Sequence, residues 1–482
     1  MGQTKVLTNS LSLLINRLTQ GITTFVLTAA IARNLGAYSL GQYLLAISYY
    51  YIFVNLASQG LKTLFTRELA RSPEETPIYL VNGTLLQLIL SVIGYLGLVI
   101  WVFLLPYSAD TSLVCYVMGL TIMPFALSNI TEAIFQAQEK MHLITISTVP
   151  IYILRLLVML WAMQMHYGVI YIAGILIISE TLITAIQWML LTKMVKPQWQ
   201  IQKDFIFNTI KAARTFFALE GVGIIAGKLD LLILSLLGNE FLIGLYGAVT
   251  QLMQPFYIVA NSANMAAFPS MSKAVYLGKE KQRESTENII EFLLCMGLPF
   301  AIGMWFFGKQ LLLFVYKDQS FLQADIILYL ISLTIITSTF SRALSYLLIA
   351  NGLEKFNLIE VALSSALGGL AGVVFISQYK LLGAALMGLV MSLFSFSLYM
   401  YTTYSRLFSL RLWHVLRRPL LITFLMLIVF VLLEKLNLDF LVILILSICA
   451  YGLLMGSMTV HQLGGINKIR EKILNKAKFN NK

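Results

Sequence analysis

Nine ionisable residues lie inside long apolar runs of this chain: Arg17, Glu132, Arg155, Glu180, Glu220, Lys228, Asp230, Arg342 and Glu360. A charge at the centre of a membrane helix costs at least about 3 kcal/mol, so each must face a partner or a wet cavity. The basic members are groups that can hold an anion, and the acidic ones can take a proton or a cation. The competing reading for each is an internal ion pair that joins two helices. Lys228 and Asp230 are two residues apart, so a helix turns ~200° between them and both cannot face one cavity. Lys228 is predicted on the cavity and Asp230 between helices; the reverse assignment stays open. Arg17 and Glu220 fall at matching depth in the two halves of the chain, where they either pair with each other or await an anion and a cation. Arg155 lies near mid-depth of its run, and Arg342 lies near an inner end where its long stem can snorkel.

Other chemistries find little support. The histidines at 142, 166, 414 and 461 fall near the ends of apolar runs, and none is spaced with carboxylates as metal ligands are. Cys115, Cys295 and Cys449 are far apart and form neither a metal motif nor a disulfide framework. There is no glycine-rich phosphate loop of the kind that drives ATP-dependent pumps. No catalytic residue, metal or cofactor is therefore expected. Tyr49, Tyr50 and Tyr51 offer stacking faces and hydroxyls in the middle of a run, but packing with satisfied hydroxyls is the preferred reading. Pro150, Pro255 and Pro299 are kink candidates.

The elements that must position these residues are membrane helices. Of the 482 residues, 59% are hydrophobic and only 12% are charged, about half the charge of a soluble domain. Runs of roughly 20 apolar residues, each able to cross ~30 Å of hydrocarbon, make an all-α polytopic membrane protein. Fourteen spans are predicted, at about 9–32, 40–61, 78–104, 113–135, 142–164, 168–192, 213–237, 241–268, 288–314, 322–350, 357–377, 382–404, 414–434 and 438–460. The first run is too long for a signal-peptide core and is expected to be retained. With the N-terminus inside, 25 of the 34 Lys and Arg fall on inner segments, five on outer segments and four within spans. That asymmetry predicts cytoplasmic termini and an even number of spans. It also accounts for the net charge of +12 as a topology signal and a cushion for anionic lipid, not as a nucleic-acid surface.

Two echoes indicate a duplication. Leu35-Gly36 followed by Gly41-Gln42-Tyr43 returns as Leu237-Gly238 followed by Gly244-Leu245-Tyr246. Glu139-Lys140-Met141-His142 returns as Glu354-Lys355-Phe356-Asn357. Each repeat then holds six spans, and the two repeats are related by an axis along the membrane normal. The predicted organisation is an N-lobe at 1–192, a basic cytoplasmic linker at 193–212, a C-lobe at 213–404, two extra helices at 405–460 and a basic cytoplasmic tail at 461–482, which either lies on the membrane surface or is disordered.

Ala32-Arg33-Asn34-Leu35-Gly36, Gly41-Gln42-Tyr43, Arg67-Glu68-Leu69-Ala70-Arg71 and Asp230-Leu231-Leu232-Ile233-Leu234 carry a resemblance. The chain resembles the polysaccharide-transporter branch of the MOP flippase superfamily, the Wzx-like flippases of lipid-linked oligosaccharides. The resemblance implies a V-shaped, alternating-access transporter in the cell membrane. It would carry undecaprenyl-pyrophosphate-linked sugar units from the inner to the outer leaflet. It makes Arg17, Arg155, Lys228 and Arg342 candidates for the pyrophosphate. It makes Glu220, Asp230, Glu132, Glu180 and Glu360 candidates for a coupling H+ or Na+. Implied partners are the lipid-linked oligosaccharide, the bilayer, and a polysaccharide polymerase or glycosyltransferases. Two other readings compete. One is a MATE-like exporter of small molecules coupled to H+ or Na+, which favours an acidic cavity, whereas the charges here are mixed. The other is a membrane-embedded enzyme of glycan assembly, which usually carries a large outer loop, and no outer connection here is long.

Overall fold

A computed structural model describes residues 2–58, 60–436 and 438–462, with side chains described except at 2–7, 214–220, 222 and 458–462. The tail expected at 461–482 lies almost wholly outside the described residues. The apolar runs form α1 Gly2–Ser58, α2 Leu61–Arg71, α3 Thr76–Phe103, α4 Ala109–Gly119, α5 Ile122–Ala137, α6 Met141–Gln164, α7 Val169–Thr192 and α8 Lys203–Ala226. They continue as α9 Leu229–Leu237, α10 Glu240–Tyr276, α11 Lys279–Tyr316, α12 Asp325–Ala350, α13 Glu354–Tyr379, α14 Leu381–Arg406, α15 Leu412–Lys435 and α16 Phe440–Gln462. No strand occurs among the described residues.

Eleven helical stretches among the described residues are long and apolar enough to cross a membrane, and up to twelve if the bent pair Thr8–Ser58 and Leu61–Arg71 counts as one span. The difference from the expected fourteen arises in two places. The first is α1, whose 57 residues would run about 85 Å if straight, far more than one bilayer. Its backbone leaves the helix at Gly36, with φ 80° and ψ 178°, a conformation open to glycine and strained for other residues. The second is the stretch from Lys203 to Leu237, which is polar in its first half and broken between α8 and α9.

By chain contacts the fold divides into two compact units. The first comprises the chain up to Leu252 together with Leu312–Ile327 and Val361–Met391. It unites the first half with the segments of the second half whose ends are predicted to be outer. At the centre of this union the two Gly-x-Tyr copies meet. A Cβ added at Gly41 would collide with the Glu240 carbonyl, and one added at Gly244 with the Ala37 carbonyl. Glycine on both sides therefore lets two backbones touch, as small residues do in membrane helix pairs. Around this crossing, Thr111 Oγ1 donates to Glu240 Oε1 at 2.6 Å and Gln42 Nε2 donates to Thr111 Oγ1 at 3.1 Å. The Arg33 guanidinium donates to the carbonyls of Phe314 and Val315 at the end of α11, where a cation suits the exposed carbonyls of a helix C-terminus. Lys380 Nζ donates to the Leu237 carbonyl at 2.8 Å. Every residue in these contacts lies at a predicted outer end.

The second unit comprises Met253–Leu311, Leu328–Glu360 and the chain from Ser392 onward. Within it α15 docks on α11. Ile422, Met426 and Phe430 are buried with Cys295, and Arg418 Nη1 pairs with Glu291 Oε1 at 2.8 Å.

The second echo returns as a turn, though not in register. After α5, Glu139 takes φ 56° and Lys140 N donates to Phe135 O at 2.8 Å. After α12, Gly352 takes φ 70° and Leu353 N donates to Leu348 O at 2.9 Å. Both are left-handed helix stops with a 6→1 bond. They match Glu139 with Gly352, two residues from the Glu139–Glu354 match of the sequence.

Candidate functional site

The in-span charges separate by what their neighbours leave available. Arg155 on α6 and Glu180 on α7 pair at 2.7 Å, with side chains only 11% and 8% exposed. The guanidinium also lies 4.8 Å over the Tyr152 ring and 3.4 Å from Ser179 Oγ. Gln20, Thr23, Tyr43 and Tyr50 line the same small cavity of ≈ 40 Å³, room for about two waters. Arg155, a pyrophosphate candidate, is thus neutralised by Glu180, a coupling-ion candidate. Removing one partner of a buried pair leaves the other charge uncompensated, at a cost of about 3–5 kcal/mol. Arg155→Ala is expected to lower the thermal stability of the purified protein by that order, and Arg155→Met with Glu180→Gln to recover most of it. An unchanged melting temperature in Arg155→Ala would show that the pair holds nothing.

Glu132 on α5 is likewise paired, with Lys62 at the start of α2. Gln187 Nε2 approaches its other oxygen at 3.5 Å. Lys62 is not among the in-span charges singled out in the sequence, and this pairing was not foreseen there.

Lys228 is different. The chain from Lys203 to Leu237 breaks at Gly227 and Lys228, and Lys228 (φ −126°, ψ 4°) becomes the N-cap residue of α9. The Lys228 side chain does not cap that helix start; of the first backbone N–H groups of α9, that of Leu231 is taken by Asp230, and the remainder carry the partial positive charge of a helix N-terminus. The Lys228 ammonium is half-buried and has no hydrogen-bond or ion-pair partner among the described residues. Asp230, two residues on, is engaged elsewhere: Tyr246 Oη donates to Asp230 Oδ2 at 2.5 Å, and Asp230 Oδ1 accepts from Leu231 N at 2.8 Å. Its carboxylate ties α9 to α10.

Arg17 is exposed on α1. The side chain of Glu220 lies outside the described residues. Arg342 on α12 and Glu360 on α13 line one cavity of ≈ 310 Å³ in the second unit. Arg342 donates to Asn261 Oδ1 and lies 4.9 Å over the Tyr257 ring, and Ser395 Oγ donates to Glu360. Sequence reading missed the serines of this cavity. Ser338, Ser341 and Ser345 flank Arg342 at helical spacing, a signal that a search of hydroxyls around in-span charges would have found. Of the mid-run tyrosines, Tyr49 is packed, with its Oη 2.6 Å from Tyr107 Oη and Tyr107 Oη 2.7 Å from Ser235 Oγ, whereas Tyr50 and Tyr51 line the small cavity at Arg155.

Comparison with known proteins follows from this geometry. Residues 6–275 match the family described as polysaccharide biosynthesis protein. No curated protein matches the chain. Among solved structures, the lipid II flippase MurJ in an inward closed conformation superposes with a TM-score of 0.76 at 16% identity, covering 95% of this chain and 99% of that one. An inward-facing multidrug resistance MATE family transporter of the MOP superfamily gives 0.61 at 12%, covering 80% and 93%. A MOP superfamily transporter from Pyrococcus furiosus, described as having a binding pocket of reverse polarity, gives 0.56 at 12%, covering 83% and 96%. At these identities the likeness establishes the fold, which this chain shares with these three proteins.

Proposed function

The chain belongs to the polysaccharide biosynthesis protein family, and from that premise we propose that it is a flippase that moves a lipid-linked glycan across the membrane, not an enzyme that builds one. The substrate is an undecaprenyl-pyrophosphate-linked oligosaccharide, carried from the inner to the outer leaflet by alternating access. The observation that carries this reading is Lys228, a half-buried cation at a break between α8 and α9 with no hydrogen-bond or ion-pair partner among the described residues. A lipid-linked sugar concentrates its negative charge at the pyrophosphate, and that charge cannot cross hydrocarbon without fixed cations. Broken helices whose N-termini point at anionic groups are the recurrent solution in transporters. Arg17 on the first half meets the pyrophosphate at inner depth, and Lys228 takes it deeper. Arg155, already paired, stabilises the first half instead. Asp230 and Glu220, carrying H+ or Na+, reset the empty carrier.

In this scheme α1 makes two crossings about Gly36, and α8 with α9 makes one broken crossing. The chain then has fourteen spans in two six-helix lobes, 1–192 and 213–404, joined by the 193–212 linker and followed by the two helices of 405–460. The termini and the linker face the cytoplasm, and the seam around Gly41 and Gly244 is the outer gate. Single cysteines at Lys203 and Lys380 test the orientation. A membrane-impermeant thiol reagent added to intact cells is expected to reach Lys380→Cys and not Lys203→Cys; the opposite pattern would reverse the topology.

The functional test is complementation of a flippase-deficient strain that retains the matching sugar pathway. Restored surface polysaccharide is expected, with no gain in resistance to cationic drugs. Drug resistance without polysaccharide would favour the exporter reading.

A further inference from the structure

We propose that the serine-lined cavity of the second unit is a carbohydrate subsite that takes one neutral pyranose ring of the transported glycan; this rests on reading the chain as a lipid-linked glycan flippase. The cavity measures ≈ 310 Å³, at the lower end of small-molecule sites, about the room for one sugar ring with its hydroxyls. Five serines line it: Ser338, Ser341 and Ser345 on α12, and Ser392 and Ser395 on α14.

The charges in its wall decide among ligands. Arg342 forms no ion pair among the described residues, and neither does Glu360, so the two share one cavity without neutralising each other. Arg342 is held by Asn261 and by the Tyr257 face, which leaves further guanidinium N–H groups to donate. Glu360 accepts from Ser395 and retains acceptor capacity. A pyrophosphate here would gain Arg342 but meet the Glu360 carboxylate. A bare metal cation would gain Glu360 but meet Arg342. Like charges in a poorly solvated site are costly in either case. A neutral polyol avoids both penalties, because each hydroxyl donates to Glu360 or accepts from Arg342.

The serines extend the same logic. Ser338 Oγ donates to Ile335 O at 3.1 Å and Ser341 Oγ to Thr337 O at 3.0 Å. With their protons spent on backbone carbonyls, these oxygens present lone pairs that accept from a ligand's hydroxyls. Tyr346 and Tyr399 add aromatic surface to the lining, suited to the C–H face of a pyranose.

The test is ligand-observed saturation-transfer NMR on the purified full chain, with N-acetylglucosamine and galactose as probes and inorganic pyrophosphate as competitor. At least one pyranose is expected to show transfer that pyrophosphate does not displace. Glu360→Gln, which keeps shape and removes charge, is expected to weaken that binding about tenfold, as loss of a charged hydrogen bond does. Ser392→Phe, which fills the cavity, is expected to abolish it while the melting temperature of Glu360→Gln stays at that of the parent. No transfer from either sugar, transfer that survives both substitutions, or displacement by pyrophosphate would overturn the proposal. The flippase reading fails separately, by absence of complementation, and that outcome leaves the binding result intact.

Discussion

Lys228→Ala is expected to lower glycan transport by about a hundredfold or more, because an anion left uncompensated in a dry path costs about 3 kcal/mol or more. Lys228→Arg is expected to retain most activity, since it preserves charge at the break between α8 and α9. Arg17→Ala is expected to act in the same direction, and Arg17→Lys to be tolerated. Two successive cations also give the substrate a means of moving the protein. Binding shifts a two-state equilibrium only by its differential affinity for the two states, and a second cation reached in only one of them supplies that difference. Membrane levels of each variant must match the parent, and surface polysaccharide is then measured in the complemented strain. Full activity of Lys228→Ala, of Arg17→Ala and of the double variant together would remove the pyrophosphate path from this account. Loss with both Ala and charge-keeping changes would mean that shape, not charge, is what the positions supply.

The second large effect is expected at the glycine crossing. Each hydrogen of Gly41 and Gly244 that faces the partner helix is opposed by a backbone carbonyl, and a backbone cannot swing aside as a flexible side chain can. Gly41→Ala and Gly244→Ala should therefore prevent the seam from closing, at a cost of about 1–3 kcal/mol each. They should also separate Glu240 from Thr111, breaking the 2.6 Å bond. Spin labels at the exposed positions Tyr38 and Asn239 are expected to report a short, narrow distance in the parent and a longer, broader one in either variant. Transport is expected to fall to background, because a carrier that cannot close its outer gate cannot alternate. An unchanged distance distribution would show that the seam tolerates a methyl group and that the glycines serve another purpose.

The membrane class and the helix placement were legible in the sequence because apolar run length reports directly on bilayer thickness. The Gly-x-Tyr copies were legible as a pair, and their contact gives the repetition a physical cause: both must be glycine at the crossing for two backbones to meet. The helix break at Gly36 falls within the Leu35-Gly36 copy that the sequence singled out. The register of the second echo was not. Glu-Lys recurs beside two helix starts, whereas the turns themselves align Glu139 with Gly352, because the left-handed stop selects conformation and not residue type. The fate of individual charges was the least legible. Arg155 and Lys228 look alike as basic residues in apolar runs, yet one is neutralised by Glu180 at 2.7 Å and the other has no such partner among the described residues. Pairing depends on which helices pack together, and single-sequence periodicity gives each helix a face without naming its neighbour. The same limit hid the serine-lined cavity, whose two walls lie about fifty residues apart in α12 and α14.

The most direct measurement is flipping in a defined membrane. The purified full chain is reconstituted into liposomes that carry a fluorescent undecaprenyl-pyrophosphate-linked oligosaccharide in both leaflets. A membrane-impermeant reductant or glycosidase then reports which leaflet each molecule occupies. The account predicts that the protein makes inner-leaflet substrate accessible from outside at a rate that protein-free liposomes do not show, and that Lys228→Ala removes most of this rate. Exchange no faster than in protein-free liposomes, in the presence of an imposed H+ or Na+ gradient of either direction, would contradict it.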